Sequence, residues 1–350
     1  MSPNSVFVLG MHRSGTSALA GALSCLGIQF LSSSDELFRG IDNPNGFYER
    51  PSVLAFSDSL LAAQEWAWDS VGLQPFPIED SIRFIHPGRQ LVSQFLTEGL
   101  VGLKDPRSCL LMPFWRRALL DRFEAIVITR DPAEVAWSLH VRDGLPISTG
   151  LALWIAYSAH LAHGIRGLSP HILRYEDLVE SPNAQLTEIT SFLDTRGIPV
   201  LQQPSDIDVA AKTIDSTLRR ATFPDWVNEH PLTIEARSIR ELFHQATETD
   251  ISFTPSVLCS EVLEYQRISQ KFLKVNHQLN LAQLEINQIR STHELLEQHV
   301  NDLQHRLHTQ EKAQAALEEK NTQIEESFSL RLGLALTWPV RKLRSANRKR

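Results

Sequence analysis

Glycine and proline are scattered through the first 255 residues and then disappear between Pro255 and Gly333. A run this long without either breaker can form one uninterrupted helix, so the chain divides near residues 255–270 into a globular part and a rod. Within the run an apolar seam repeats every seven residues. One seam position holds Leu279, Ile286, His293, Val300, Leu307, Gln314, Asn321 and Phe328, and the other holds Ala282, Ile289, Leu296, Leu303, Gln310, Leu317 and Ile324. A straight helix drifts away from a seven-residue repeat, so such a seam stays covered only if the helix supercoils left-handedly around a partner. The stripe is strongest from Leu279 to Leu307 and is interrupted afterwards by Gln310, Gln314 and Asn321. Self-association through a coiled coil over 256–330 is therefore expected. A single amphipathic helix lying on the globular part is the alternative. In the coiled coil, His293 and the seam amides would fix register or strand number at some cost in stability.

The chain has 350 residues, 42% apolar and 21% charged, which lies outside the range of disordered proteins. Its formal charge of −7 argues against a protein that coats nucleic acid, so any anion site must be local. The three cysteines, Cys25, Cys109 and Cys259, form no CxxC pair, which excludes a disulfide scaffold and a cysteine-built zinc site. With no basic, apolar leader and no span of roughly 20 apolar residues, a cytoplasmic protein is expected. Charge is unevenly placed. Residues 1–270 carry 21 basic and 32 acidic side chains, 271–330 carry 6 and 9, and 331–350 carry 7 and none. That last segment joins an apolar patch containing Trp338 to an all-basic end. Peripheral contact with an anionic membrane surface and a solvated tail are its two readings.

Residues 1–255 alternate between strand-like and helix-like runs, which predicts an α/β domain with a parallel sheet in three layers. Strands are expected at Ser5–Leu9, Val101–Leu103, Ala125–Thr129 and His171–Leu173. Helices are expected at Thr16–Leu26, Cys109–Arg122, Pro132–Val141, Gly150–Ile165 and Asn183–Leu193, with Asp131 capping the one that opens at Pro132.

The first strand runs into Gly10-Met11-His12-Arg13-Ser14-Gly15-Thr16-Ser17 and then an apolar helix, the arrangement of a phosphate-binding loop. The spacing of Gly10 and Gly15 fits a Walker A motif, but Thr16 stands where that motif has lysine, which disfavours a nucleotide triphosphatase. The basic residue is Arg13 instead. A second element follows the third strand. Arg130 and Ser138, eight residues apart across a strand end and a helix start, are placed to face one anion above the sheet's carboxyl edge.

At these residues the sequence resembles the sulfotransferases that use 3′-phosphoadenosine-5′-phosphosulfate (PAPS), particularly bacterial, carbohydrate-type members. Further resemblance lies in Lys104-Asp105-Pro106-Arg107, in Tyr175-Glu176-Asp177-Leu178, and in the segment Asn43 to Glu49, similar to an NxxGFxE stretch. The motifs span roughly residues 5–195 in the family's order; the heptads and tail lie outside. The resemblance implies a P-loop-like fold and transfer of a sulfuryl group from PAPS to a hydroxyl, less readily an amine, of a carbohydrate or glycolipid, with no metal. It further implies that His12, Arg13, Ser14, Gly15, Thr16 and Ser17 hold the 5′-phosphosulfate, and that Arg130 and Ser138 hold the 3′-phosphate. Arg219, with Arg220, falls where the family closes a basic loop over the cofactor, although the glycine-rich form of that loop is absent; a solvated pair is the alternative.

Arg13 and Lys104 are the expected charge-stabilising groups, with an ion pair to Asp105 as the other role for Lys104. Glu49 is the leading general base, with a helix-capping role before Pro51 as its alternative and His12 and Asp105 as runners-up. His140 and His160 are expected on helix faces. Trp66, Trp68, Phe47 and Tyr48 would form either an aromatic wall for a sugar ring or ordinary core. Two other functions fit the same residues: a kinase that draws its lysine from Lys104, and a degenerate nucleotide-binding head on a coiled-coil scaffold.

Overall fold

The computed structural model describes residues 5–32, 35–40, 43–70, 72, 76–96, 99–219, 222–245 and 260–346. Four short strands build the sheet: β1 (Ser5–Leu9), β2 (Val101–Lys104), β3 (Glu124–Thr129) and β4 (His171–Arg174). They are parallel throughout and ordered β2-β1-β3-β4. Parallel neighbours need long crossovers, and helices supply them. These are α1 (Thr16–Cys25), α2 (Pro51–Ala62), α3 (Ile82–Phe95), α4 (Ser108–Leu119), α5 (Pro132–Asp143) and α6 (Ile147–Gly164). They continue as α7 (Tyr175–Glu180), α8 (Pro182–Thr195), α9 (Pro204–Ala211), α10 (Asp225–Glu229) and α11 (Pro231–Gln245).

Alternation along each strand sorts the core into two layers. Phe7, Leu9, Leu103 and Val127 face a cluster built on α2 to α6 and α11. Val6, Val8, Ile126 and Ile128 face the other, which holds Leu19 and Leu23 of α1, Leu186 and Ile189 of α8, and Ala210 of α9. Because both faces are covered, the strands read as near-continuous apolar runs.

Local signals set several element ends. The Asp131 carboxylate accepts from the amides of Ala133 and Glu134 at 2.9 and 3.3 Å, capping α5 as its sequence suggests. Helix α4 is shorter than expected. Leu120 and Asp121 turn left-handed, with φ of 56° and 55°. The Arg116 side chain holds that turn, reaching Asp121 at 2.8 Å and the Arg166 carbonyl at 2.6 Å. Pro87 and Pro113 lie inside α3 and α4, so neither proline ends its helix.

The chain forms two compact units, Met1–His277 and Gln278–Arg350. The expected boundary at 255 falls outside the described residues. The helix α12 spans Ser260–Ala346 and carries the whole heptad seam. It continues through Gly333 and Pro339, over most of the segment read from sequence as a separate tail. Among the described residues no helix is long and apolar enough to cross a membrane.

Candidate functional site

The chain steps from β1 to β2 on one side and then crosses to β3 on the other, so the order reverses at β1. Ligand crevices in such sheets open at the carboxyl ends of the strands beside that reversal. All four strand ends contribute here. After β1 comes the loop Gly10–Gly15, whose glycines are required by space. A Cβ on Gly10 would stand 2.5 Å from the Ile128 carbonyl oxygen. Gly15 has φ +90°, and a Cβ there would lie 2.2 Å from the Tyr175 ring. Gly15 provides no side-chain cap, so the first amides of α1 are available to a ligand at the positive end of the helix dipole.

Lys104 ends β2 and is buried. Its Nζ donates to Ser17 Oγ at 3.1 Å and forms a short ion pair with Glu49. Arg130 follows β3 and is also buried. Its Nε donates to Glu134 at 2.8 Å and its Nη1 to the Arg13 carbonyl at 3.0 Å. The guanidinium lies 4.6 Å over the ring of Tyr175, the residue that follows β4. Its remaining nitrogen, Nη2, is buried with no partner among the described residues.

These groups surround one cleft, open to solvent and lined by His12, Arg13, Gly15, Thr16, Ser17, Glu49, Lys104, Arg130 and Tyr175 among others. Among the described lining residues are four cations, counting Arg142, and one carboxylate, that of Glu49. Outside the lining, Glu134 pairs with Arg130 and Asp143 with Arg142.

Most of the sequence-derived residues meet in the cleft, and three, Ser14, Ser138 and Arg219, stand back from it. Ser138 lies behind Arg13, whose Nε donates to its hydroxyl at 2.8 Å. Arg219 lines a neighbouring cavity instead and donates to Glu134 at 2.9 Å; Arg220 is outside the described residues. Ser14 is buried within the loop. Lys104 does not pair with Asp105, which accepts from Arg107, amide at 3.0 Å and Nη1 at 3.1 Å. The N-cap of α2 is Arg50, and the Glu49 carboxylate pairs with Lys104 rather than with the helix amides.

His12 packs edge-on against Trp68 and Tyr157, with centroids at 5.0 and 5.8 Å. Burial, reinforced by Arg107, Arg142, Lys104 and Arg13, holds its imidazole neutral, well below the usual histidine range. His140 and His160 do stand on helix faces, bonded to the carbonyls of Leu145 and Gly72 at 2.9 and 2.8 Å. Phe47 lines the cleft. Tyr48 lies against Gly21, and Trp66 packs on Phe76 and His160.

Sequence reasoning missed Arg142 and the structural part played by Glu134. A signal for both was present. Arg130, Glu134, Ser138 and Arg142 follow one another at four-residue steps, one stripe along α5 and the residue leading into it.

No protein-family model and no curated protein matches the chain. Among solved structures it is similar to the sulfotransferase domain from the curacin biosynthetic pathway, with 16% identity over 68% of this chain and 98% of that one and a TM-score of 0.38. The sulfotransferase domain of the Synechococcus PCC 7002 olefin synthase shares 16% identity over 78% of this chain and 95% of that one, TM-score 0.37. Retinol dehydratase in complex with androsterone and the inactive cofactor PAP shares 13% over 73% and 84%, TM-score 0.39.

Proposed function

We propose that this chain is a sulfotransferase that moves a sulfuryl group from PAPS to a hydroxyl of a carbohydrate or glycolipid, in the cytoplasm. The observation that carries the reading is the Nη2 of buried Arg130, which has no partner among the described residues, in a cleft that Arg13, Lys104 and Arg142 also line. A buried guanidinium N–H without an acceptor costs free energy unless an anion satisfies it. The residues present therefore fit a ligand with two separated anionic groups, one at the loop and one at Arg130.

When bound, PAPS supplies a sulfuryl group whose sulfur bonds to the acceptor oxygen as its bond to the 5′-phosphate oxygen breaks. The α1 amides and the hydroxyls of Thr16 and Ser17 would hold the 5′ end, while Arg13 and Lys104 offset the charge that grows on the leaving phosphate. These cations supply the neutralisation that a metal provides in phosphoryl transfer. Arg130 would hold the 3′-phosphate, with Ser138 joining it where Arg13 turns towards the leaving group. Glu49 would take the proton from the acceptor hydroxyl. Lys104 touches both Glu49 and Ser17, so the base and the charge-stabilising loop are linked through one ammonium.

Titration calorimetry with 3′-phosphoadenosine-5′-phosphate (PAP), against ADP and against ATP with magnesium, tests this directly. Metal-free binding of PAP that weakens roughly 100-fold in Arg130→Ala is the expected result, the scale of a lost charge-assisted pair. Preference for ATP with magnesium would make the site a kinase's, and no nucleotide binding would move the function to the long helix.

A further inference from the structure

Helix α12 carries its apolar seam on the surface. Leu279, Ile286, Ile289, Leu296, Val300 and Leu303 are between 48% and 68% exposed. We propose that the occupant of this seam is a second copy of the same chain, running parallel and in register, so that the protein is a two-stranded coiled-coil dimer.

The flanks of the seam carry the orientation. With Leu279, Ile286, His293 and Val300 at the a position and Ala282, Ile289, Leu296 and Leu303 at d, residues 285, 292, 299, 306, 313 and 320 fall at g. Residues 290, 297, 304, 311, 318 and 325 fall at e. In a parallel, in-register pair each g residue meets the e residue five places further along the other strand. Three of these meetings involve two charges, and all three are opposite in sign. Glu285 meets the partner's Arg290, Arg306 meets the partner's Glu311, and Lys320 meets the partner's Glu325. The other three contain at most one formal charge each: Thr292 with Glu297, His299 with Gln304, and Ala313 with Glu318.

An antiparallel pair brings e rows together and g rows together instead, and the e row holds Arg290, Glu297, Gln304, Glu311, Glu318 and Glu325. With these heptads fully overlapped, Glu297 would then face Glu318 and only Arg290 with Glu325 and Glu285 with Lys320 would attract, against three attractive and no repulsive meetings in the parallel pair. Register follows from the polar a residues. Only with zero offset do His293, Gln314 and Asn321 each meet their own counterpart. A slip of one heptad sets His293 against Val300 or Ile286 and buries a polar group against an apolar one. A polar a layer of this kind commonly fixes both register and strand number. Parallel pairing also brings two copies of basic segment 331–350 to one end. Their repulsion acts beyond the heptads and is screened over about 8 Å at physiological salt.

The test uses the full-length protein. Sedimentation equilibrium should give twice the chain mass. One variant carries Glu285→Lys, Arg306→Glu and Lys320→Glu, and a second carries Arg290→Glu, Glu311→Lys and Glu325→Lys. Each alone should dimerise at least about tenfold more weakly, since favourable pairs become repulsive, and an equimolar mixture should recover wild-type affinity as a heterodimer. That recovery separates lost pairing from lost folding. Phe328→Cys, at an a position, should cross-link to its own copy under mild oxidation beyond the wild-type background, because disulfides require Cα atoms within about 7 Å. A monomer, trimer or tetramer, a mixture that fails to recover, or no added cross-link would each overturn the proposal.

Discussion

Two arginine-rich cavities lie on either side of Glu134, and they differ in whether every buried donor is satisfied. In the first, Arg13, Lys104, Arg130 and Arg142 line a cleft with Glu49; Lys104 pairs with Glu49, Arg130 with Glu134 and Arg142 with Asp143. In the second, Arg174, Arg219, Arg237 and Arg240 meet Asp131, Glu134 and Glu176. Each arginine of the second set has a carboxylate partner: Arg237 reaches Asp131 at 2.7 Å, Arg219 reaches Glu134 at 2.9 Å, Arg174 reaches Glu241 at 2.7 Å, and Arg240 pairs closely with Glu176. The second cavity is a neutralised strut that ties α11 to the ends of β3 and β4. In the first, one buried donor, Arg130 Nη2, has no acceptor among the described residues, and a ligand anion can satisfy it. Counting arginines, or their carboxylate partners, does not separate the two; an unsatisfied buried donor does. Glu134 belongs to both, because one of its oxygens holds Arg130 and the other holds Arg219.

The largest effect that would sharpen this contrast lies in the first cavity. Glu49→Gln should lower kcat of sulfuryl transfer by about 10²–10⁴ through loss of a general base, with PAP affinity in calorimetry unchanged within about threefold. A collapse of PAP binding instead would assign Glu49 to holding Lys104 in place. In the second cavity the damage should be to stability. Glu176→Ala leaves Arg240 buried without its carboxylate, a loss of about 3–5 kcal/mol in urea unfolding, while PAP affinity of the folded protein stays the same. If affinity falls with it, the two cavities are one site.

The smallest effect concerns pH. His244 sits beside the second cavity, its Nε2 2.8 Å from Thr129 Oγ1. Burial, with Arg174 and Arg240 adding to it, lowers its pKa from 6.5 to about 4. The unfolded chain therefore binds a proton at this residue that the folded chain refuses between those two values. Its contribution to stability is complete above pH 6.5 and is lost as pH falls towards about 4. His244→Gln should flatten that part of the dependence of Tm on pH. An unchanged slope would place the acid sensitivity elsewhere.

The parts of this molecule that could be read from its sequence are those where one local rule decides. Largely apolar runs mark β1, β2 and β3, since a strand buried on both faces has no alternation to obscure it. The Asp131-Pro132 pair marks the start of α5, and the spacing of Gly10 and Gly15 marks a turn where a Cβ has no room. Helices α3, α7, α9, α10 and α11 were not anticipated. In α3 Pro87 reads as a breaker, and packing overrides it, with Gly88 lying close to Phe114 and Phe56. The convergence of Arg13, Lys104, Glu49 and Arg130 on one cleft was partly legible, because residues at strand ends share an edge. Which of them pair was not. The contacts Lys104 to Glu49 and Arg13 to Ser138 join positions 55 and 125 residues apart, and only the folded register sets them side by side.

The strand order has one more consequence, for synthesis. The central strand, β1, is made before the other three, yet its partners are β2, starting at Val101, and β3, starting at Glu124. At about 5–20 residues per second, on the order of 5–20 s pass between translation of β1 and of its nearest partner. Throughout that interval the uncharged segment SVFVL has both edges unpaired, the kind of run that seeds intermolecular pairing. The nascent chain is thus most vulnerable to aggregation before residue 130 has emerged, and a holding chaperone would act at its amino-terminal end.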